Sequence, residues 1–357
     1  MTPAFAPGIS TGGTARQIPG VSIVVTARND DHGGNLLHRM QLFVDGLSQQ
    51  CQRFQLPAEL ILVEWNPPAD RAPLAQALNW PPGSPLKPRI ITVPPAIHQR
   101  YRLAQRLPLY QMIAKNVGIR RASAPWVLAT NIDILFSDGL MTGLAQGPHA
   151  YRLRPDFLCR ADRWDVPAEV PPGGIAGQLA WCRSHAIRVH RRCHSTDLRT
   201  GTRHWVYWPL TPRVLLLEAL QSLHLVPVVT RDRLHVNGCG DFTLLAKSAW
   251  ERLRGYPELD VFSMHLDALL CHAAYRAGLR EVVLPEPARV YHIEHAIGSG
   301  WSPEGNDQLN QRLAQAGINQ ISLAQYNAWA VQMRRERRPI PFNPPNWGLG
   351  DESLPET

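Results

Sequence analysis

The sequence predicts an α/β fold, an open sheet flanked by helices, and three observations lead to this prediction. Short β-branched runs recur along the first 130 residues or so, they alternate with stretches whose apolar residues follow a helical period, and polar or Gly/Pro-rich loops separate the two. Strands that alternate with helices usually pair in parallel, and such sheets bind ligands beyond the carboxyl ends of their strands. We therefore expect functional residues at strand ends.

The first half of the chain supplies the elements of this sheet. The predicted strands are residues 21–26 (VSIVVT), 59–64 (ELILVE), 89–93 (RIITV) and 126–130 (WVLAT). Apolar residues at helical spacing predict a helix from residue 36 to 47 after the first strand. A second helical stretch, basic and amphipathic, is predicted within residues 101–122, with an interruption at Pro108.

The second half is less regular. Residues 151–235 are rich in Arg, His, Trp and Pro with weak periodicity, and they predict an irregular insertion that contributes to substrate binding. Regular elements then return. The predicted helices are residues 241–256, 264–278 and about 307–336, and the predicted strands are residues 281–286 and 288–295. We expect one enlarged domain at residues 20–306, between a flexible lead at 1–19 and a C-terminal helix with a Pro-rich tail at 307–357.

Composition narrows the class of protein. With 357 residues and 44% hydrophobic residues, the chain can bury a large core. No run approaches the roughly 18 apolar residues of a membrane-spanning helix, and the N-terminus lacks a signal-peptide pattern. Six widely spread cysteines then favour a reduced, cytoplasmic protein. The net charge of +8, mostly from Arg, suits phosphate-bearing ligands or an acidic membrane surface, and no pattern of a nucleic-acid-binding module is present.

One short motif carries most of the predicted chemistry. The strand at 126–130 runs directly into Asn131-Ile132-Asp133. Because strand side chains alternate, residues 131 and 133 lie on one side of the extended chain. A hard divalent cation that is also held by substrate phosphates needs such an arrangement of oxygen ligands. Asp133 is the candidate metal ligand, although it could instead cap the following turn.

The order of the surrounding motifs resembles that of nucleotide-sugar-dependent glycosyltransferases of the GT-A fold, most closely the family 2 type. VSIVVTARND resembles their first strand and donor-binding loop, which places Thr26 and Arg28 at the donor. LILVEWN resembles their second strand, where an acid meets the uracil base, and Glu64 takes that place. AKNVGIRRASAPWVLATNID resembles the stretch from an Arg-Asn pair to the Asp-X-Asp motif, with Lys115 and Asn116 at the pair.

The resemblance continues after residue 237. LRGYPE resembles the acceptor-side Gly-Gly-Phe-Asp-Glu turn, and HLDALLCHAAYRAGL resembles the segment that opens with Glu-Asp, which places Asp267 at the catalytic base. VYH ends at His292, where related enzymes often have a metal-binding or phosphate-binding histidine. Two residues depart from the pattern, since Asn131 replaces an acid and Leu266 replaces the Glu of Glu-Asp. We expect Asn131 to contact the ribose or a metal-bound water, and an Asp at this position to be tolerated.

The resemblance implies an inverting glycosyltransferase that uses a divalent cation, Mn²⁺ or Mg²⁺. The donor would be a nucleoside diphosphate sugar, a UDP-sugar first of all, and the acceptor a saccharide or glycolipid in bacterial surface polysaccharide synthesis. The enzyme would be cytoplasmic or peripheral at the inner membrane, with no nucleic-acid partner. The alternatives are a retaining transferase, a sugar nucleotidyltransferase, and a nucleotide-sugar-binding protein without catalysis.

Several residues keep two interpretations. Asp267 could be a first-turn acid that favours the helix dipole, Glu64 could simply end its strand, and Lys115 and Asn116 could be solvated helix residues.

The acceptor candidates are Asp241, which could also be an N-cap, and Trp250, His295 and Trp301. His295 should point away from His292 if the strand stays regular. A zinc site is a further, less favoured option, against an Arg-rich acceptor surface, and its ligands would be Cys182, His185, His190 and Cys193.

Overall fold

A computed structural model describes residues 20–146, 153–297, 299 and 301–357, so the predicted lead at residues 1–19 lies outside the described part. The strands are β1 (Val21–Ala27), β2 (Ala58–Trp65), β3 (Leu86–Val93), β4 (Trp126–Ala129), β5 (Ile134–Phe136), β6 (Phe157–Arg160), β7 (Asp162–Val166), β8 (Arg188–His190), β9 (His194–Asp197), β10 (Arg203–Trp205), β11 (Thr243–Ala246), β12 (Arg280–Val283) and β13 (Arg289–Ile293). The helices are α1 (Leu36–Arg53), α2 (Leu74–Ala77), α3 (Pro95–His98), α4 (Gln111–Arg121), α5 (Asp138–Ala145), α6 (Ile175–His185), α7 (Pro212–Ser222), α8 (Lys247–Leu253), α9 (Leu266–Arg276), α10 (Asn306–Gln315) and α11 (Leu323–Glu336).

The main sheet has the strand order β12-β6-β11-β4-β1-β2-β3. Strands β4, β1, β2 and β3 run parallel, whereas β11 is antiparallel to both of its neighbours, so the sheet is mixed. Every residue of β1 and β2 is buried, as expected for parallel strands that are covered on both faces. Alternate residues of β1 pack into different apolar clusters, Val24 with α4 and Ile23 with α1. The predicted α/β class, with helices flanking an open mixed sheet, is confirmed.

A smaller second sheet has the order β10-β9-β8-β7-β13-β5. The chain passes from the main sheet to the second sheet between β4 and β5, between β6 and β7, and between β12 and β13. The first passage is the Asn131-Ile132-Asp133 motif itself. The motif therefore lies where the two sheets meet, and strands from both sheets can bring side chains to it.

Three sequence predictions of local structure are wrong. Residues 151–235 are not irregular throughout, because β6 joins the main sheet and β7 to β10 build most of the second one. The predicted helix at 241–256 begins as strand β11, which pairs with β4 before α8 starts. The single long helix predicted at 307–336 is two helices, α10 and α11, separated by residues 316–322.

The Pro-rich tail covers the edge of the main sheet. Thr357 and Ile90 exchange both backbone hydrogen bonds at 2.8 and 3.0 Å, so the chain end pairs with edge strand β3. Arg121 at the end of α4 donates to the carbonyl oxygens of Gly348, Leu349 and Glu352. A covered edge cannot pair with another chain. Within the described residues, no helix is both long and apolar enough to cross a bilayer.

Candidate active site

A cleft of about 660 Å³ opens at the carboxyl ends of β1 and β4. Because these strands are parallel neighbours, their carboxyl ends bring Thr26 and Arg28 next to Asn131 and Asp133. Strand β11 is antiparallel to β4, so its start delivers Asp241 to the same edge. Other residues that line the cleft include His32, Arg39, Arg163, Arg231, His265, Asp267, His292, His295, Trp301 and Tyr326.

Asp133, His292 and His295 form the chemical centre of the cleft. Their possible ligand atoms lie within 4.8 Å of one another, and the Nε2 atoms of His292 and His295 are 3.9 and 3.5 Å from Asp133 Oδ2. The pairing of β13 with β5 sets His292 beside Ile134, and the amide of Ile293 donates to the carbonyl of Asp133 at 2.9 Å. Because β13 ends at Ile293, the regular alternation stops there and His295 turns back toward Asp133.

The three side chains fit a transition-metal cation. Asp133 is buried, and its Oδ1 atom has no hydrogen-bond partner among the described residues. A buried carboxylate oxygen without a partner is costly unless something else occupies it. Burial lowers the pKa of His295 to about 4, against the opposing charge of Asp133, so its imidazole is neutral and able to bind a metal at neutral pH. One carboxylate and two imidazoles suit Mn²⁺ better than Mg²⁺, which prefers oxygen ligands.

Asp165 lies behind His292, on the side away from Asp133. It is fully buried, and its carboxylate accepts hydrogen bonds from Arg163 at 2.6 Å, His190 at 2.7 Å and Arg188 at 2.9 Å. Its Oδ1 atom lies 3.4 Å from His292 Nδ1. Burial and the charge of Arg163 lower the pKa of His292. The carboxylates of Asp165, Asp133 and Asp241 raise it by more, so the pKa of His292 lies above its usual value. A carboxylate behind a ligating histidine fixes the orientation of its ring.

The loop after β1 closes one wall of the cleft. Arg28 is held by the carbonyl of Asn66 at 2.7 Å and by Asp30 at 2.9 Å, and Thr26 donates to the carbonyl of Val63. Arg39 was not among the residues predicted from the sequence, and its buried side chain reaches back from α1 to the loop carbonyls of His32 and Gly34.

The same loop packs directly against the cluster of Asp133, His292 and His295. Gly33 has a φ of +74°, and a Cβ at this position would lie 3.0 Å from His295 Nδ1. The amide of Ala296 also donates to the carbonyl of Gly33 at 3.0 Å. The guanidinium of Arg39 faces the cleft with an Nε atom that has no partner among the described residues. This wall therefore places a cation beside the candidate metal ligands, where a diphosphate would need it.

The amide of Asn131 makes hydrogen bonds within the protein. Its Nδ2 donates to Asp241 Oδ1 at 2.6 Å, and its Oδ1 accepts from Gln111 at 3.1 Å. Asp241 is buried, and its other oxygen accepts from Arg163 at 2.8 Å. Burial raises the pKa of Asp241, but Arg163, His292 and Lys115 hold it below its usual value, so the carboxylate is charged. An amide at position 131 can donate to that carboxylate, whereas an acid could not.

Asp267 lies at the start of α9 and lines the cleft. Its Oδ1 accepts from the backbone amide of Ala268 at 2.8 Å. A Cβ at Gly240 would lie 3.0 Å from Asp267 Oδ2, so a side chain at position 240 would crowd this oxygen. Behind Gly240, the buried Lys115 donates to the Gly240 carbonyl at 2.9 Å. Burial lowers the pKa of Lys115 to about 8, against the raising effect of Asp241 and Asp267.

Four sequence candidates lie behind the cleft, where they support it. Lys115 holds the Gly240 carbonyl, as described above. Glu64 is buried and accepts from the amide of Leu74 at 3.0 Å. Asn116 is buried and binds both the carbonyl and the amide of Tyr256, so it fixes the turn that was expected to face the acceptor. Trp250 is fully buried and donates to the carbonyl of Val127 at 3.0 Å, which makes it a core residue without access to an acceptor.

Aromatic and cationic side chains also line the cleft. Trp301 is 41% exposed and lines the cleft. Tyr326 and His265 stack with ring centroids 5.0 Å apart, and Arg231 lies 5.0 Å from the centre of the Tyr326 ring. The sequence analysis did not identify Arg231, His265 and Tyr326, because they belong to no motif with a recognisable spacing.

The zinc hypothesis is wrong for the described structure. His190 is buried between Asp165 and Ser195, at 2.7 Å from each, and His185 is exposed at the end of α6, against the carbonyl of Trp181. The cysteines and histidines of the predicted set form no cluster among the described residues. His190 instead serves as a hydrogen-bond donor to Asp165.

No protein-family model matches the chain, and no curated protein matches it either. Among solved structures, the chain is similar to the mannosyltransferase PcManGT from Pyrobaculum calidifontis in complex with GDP-Man and Mn²⁺, with 14% identity, a TM-score of 0.38 and coverage of 89% of this chain and 70% of that one. It is also similar to S. aureus TarS 1-349 in complex with UDP-GlcNAc, with 12% identity, a TM-score of 0.41 and coverage of 89% and 72%. Both likenesses are distant, and they say nothing of this chain's activity or substrate.

Proposed function

We propose that this protein is a glycosyltransferase that moves a sugar from a nucleoside diphosphate sugar to an acceptor hydroxyl, with a divalent cation as cofactor. One observation carries the proposal. Asp133, His292 and His295 meet in the same cleft as Asp267, and Arg28 and Arg39 lie in the wall beside them. The cleft thus combines a metal-ligand set, cations for phosphates and a separate carboxylate, which are the groups that glycosyl transfer from a diphosphate requires.

The leaving diphosphate is the first requirement. Asp133, His292 and His295 would hold the cation, which when bound supplies charge neutralisation to the departing diphosphate. Arg28 and Arg39 add fixed positive charge along the loop after β1. Asp165 positions His292 from outside the ligand set, and its three strong donors keep its carboxylate charged and immobile.

The attacking hydroxyl is the second requirement. Asp267 lines the cleft on an element distinct from those that carry the metal ligands, and we assign it the role of general base. A base that removes the hydroxyl proton as the carbon–oxygen bond forms leads to inversion when attack comes from the side opposite the diphosphate. The aromatic wall with Tyr326 and Trp301 would bind the acceptor, which we propose to be a saccharide or glycolipid of a bacterial surface polymer.

Metal-dependent nucleotide binding tests the proposed function. We expect UDP to bind at least about 10-fold more tightly with Mn²⁺ than with EDTA, because the cation would bridge the Asp-His-His set and the diphosphate. Titration calorimetry with UDP, GDP and UMP under both conditions measures this. UMP is the matched control, since it lacks the second phosphate. Equal affinity with and without Mn²⁺ for both diphosphates would contradict the proposal, and a preference for GDP would correct the donor base alone.

The Asn131→Asp variant tests the hydrogen bond to Asp241. It replaces a donor that lies 2.6 Å from a charged carboxylate with a second carboxylate, so repulsion takes the place of a hydrogen bond. We expect a loss of about 1–3 kcal/mol in unfolding free energy and weaker binding of UDP with Mn²⁺. Urea denaturation and calorimetry measure the two effects.

Asn131→Ala is the control, because it removes the amide without adding a charge. The Asp variant should be the worse of the two, with the difference shrinking as pH falls and one carboxylate of the new pair takes up a proton. This replaces the expectation from the motif alone, that an Asp at position 131 is tolerated. A fully stable and active Asp variant would show that the expectation from the motif was right.

A further inference from the structure

The segment around α7 leaves an unusual amount of apolar surface exposed. Eight of its large apolar side chains are 45% to 78% exposed, among them Trp205 (45%), Leu216 (62%), Leu225 (67%), Leu223 (68%) and Trp208 (78%). Leu210, Leu215 and Val229 in the same segment are each more than half exposed. Single exposed apolar residues are ordinary, but a contiguous group of this size marks an interaction surface. We call residues 203–229 the apolar arm.

Helix α7 is arranged with its polar side inward. Gln221 is its buried residue, and its side chain accepts from the amides of Val229 and Thr230. Glu218, one turn earlier, pairs with Arg334 of α11 at 2.8 Å. Leu215, Leu216 and Leu217 of α7 are exposed to solvent, whereas Leu220 is half-buried. A surface helix of a globular protein normally shows the opposite orientation, with its apolar side against the core. The outward apolar side therefore needs a partner other than this chain's own core.

The charges around the apolar arm are positive. Exposed Arg203 lies on the same strand as Trp205, and exposed Arg213 begins α7. The end of the neighbouring helix α11 brings Arg335 and Arg337 to the loop after α7. Arg337 donates there to the carbonyl of Ser222. The arm contains a single acid, Glu218, which is already paired. The surface thus presents exposed Leu and Trp side chains within a ring of Arg.

We propose that the apolar arm docks the protein on an anionic lipid bilayer. A helix that lies in the membrane interface combines an apolar side, basic residues around it and Trp at the boundary, and the arm has all three. The arginines would attract the anionic headgroups, and the leucines of α7 and its following loop would enter the acyl region. A second copy of this chain would bring the same ring of arginines against itself, which the charge pattern disfavours.

The arm also adjoins the cleft. Val206, between the two exposed tryptophans, lines the cleft, and so does Arg231, two residues beyond Val229. A bilayer on the arm would therefore lie next to the acceptor side of the cleft, within reach of an acceptor that carries a lipid tail. This consequence rests on the proposed function, whereas the docking itself does not.

Vesicle sedimentation tests the docking without any enzyme assay. The purified chain is mixed with vesicles of phosphatidylcholine, with or without phosphatidylglycerol, at low and high salt. We expect it to sediment with the anionic vesicles and to be released by salt. The triple variant Leu216→Ser, Leu223→Ser, Leu225→Ser should bind at least about 100-fold more weakly, because several leucines would no longer enter the interface. The double variant Leu37→Ser, Tyr275→Ser alters exposed residues on α1 and α9 and should bind like the native chain.

Two results would overturn the docking proposal. The first is the absence of sedimentation with either kind of vesicle. The second is a dimer in solution that the triple variant abolishes, which would assign the arm to self-association. All changed residues are exposed, so the variants should fold, and their circular dichroism spectra verify this. Calorimetry with UDP and Mn²⁺ on the same samples reports on the cleft, so failure of the docking proposal and failure of the proposed function give separate signals.

Discussion

Asp133→Ala is expected to lower transfer by at least about 10³-fold, because it removes the one carboxylate of the Asp-His-His set and with it the charge neutralisation of the diphosphate. The fold should survive the change. Asp133 Oδ1 has no partner among the described residues, and the hydrogen bond from Ile293 goes to the main chain. Calorimetry should show UDP affinity that no longer responds to Mn²⁺, and urea denaturation should give a midpoint close to the native one.

Asp156→Ala is the matched control for the metal hypothesis. Asp156 is a half-exposed acid whose carboxylate pairs with Arg154 on the surface, outside the cleft. Loss of this carboxylate should leave both transfer and the Mn²⁺ response unchanged. Full activity of the Asp133 variant, or native activity in EDTA, would remove the cation from the mechanism. A variant that unfolds would be replaced by Asp133→Asn, which keeps the size of the side chain and removes its charge.

The sequence predicted the parallel part of the fold because its signals are local. Strands β1 to β4 are short, mainly apolar runs, and parallel strands covered on both faces are predominantly apolar. Their carboxyl ends then place Asp133 in the cleft without any knowledge of tertiary contacts. Strand β11 escaped prediction because its residues 243–246 also fit a helical period, and only pairing with β4 makes them a strand.

The surroundings of Asp133 were less predictable, because they depend on contacts between distant segments. Asp165 reaches His292 through the parallel pairing of β7 with β13, which joins residues more than 100 positions apart. His295 joins the cluster because β13 ends at Ile293, and strand ends are the least certain feature of a sequence prediction. Asn116 and Trp250 show the converse, since residues at motif-like positions turned out to hold the scaffold behind the cleft.

Asp267→Asn is expected to lower kcat by about 10²-fold or more, the usual contribution of a positioned general base. The amide keeps the size of the side chain and can still accept from the amide of Ala268, so α9 should start as in the native chain. Because a base acts in the chemical step, the KM for the donor and the affinity for UDP with Mn²⁺ should stay near native. Steady-state kinetics and calorimetry measure these quantities.

Asp307→Asn separates catalysis from a helix-dipole effect. Asp307 is also a first-turn acid, in α10, but it lies outside the cleft. If Asp267 merely favoured its helix, both variants would lose the same few tenths of a kcal/mol to about 1 kcal/mol of stability and neither would lose activity. Loss of kcat in the Asp267 variant alone supports the base. The product's anomeric configuration, read by NMR, should be opposite to that of the donor, and a retained configuration would exclude Asp267 as the base in a direct displacement.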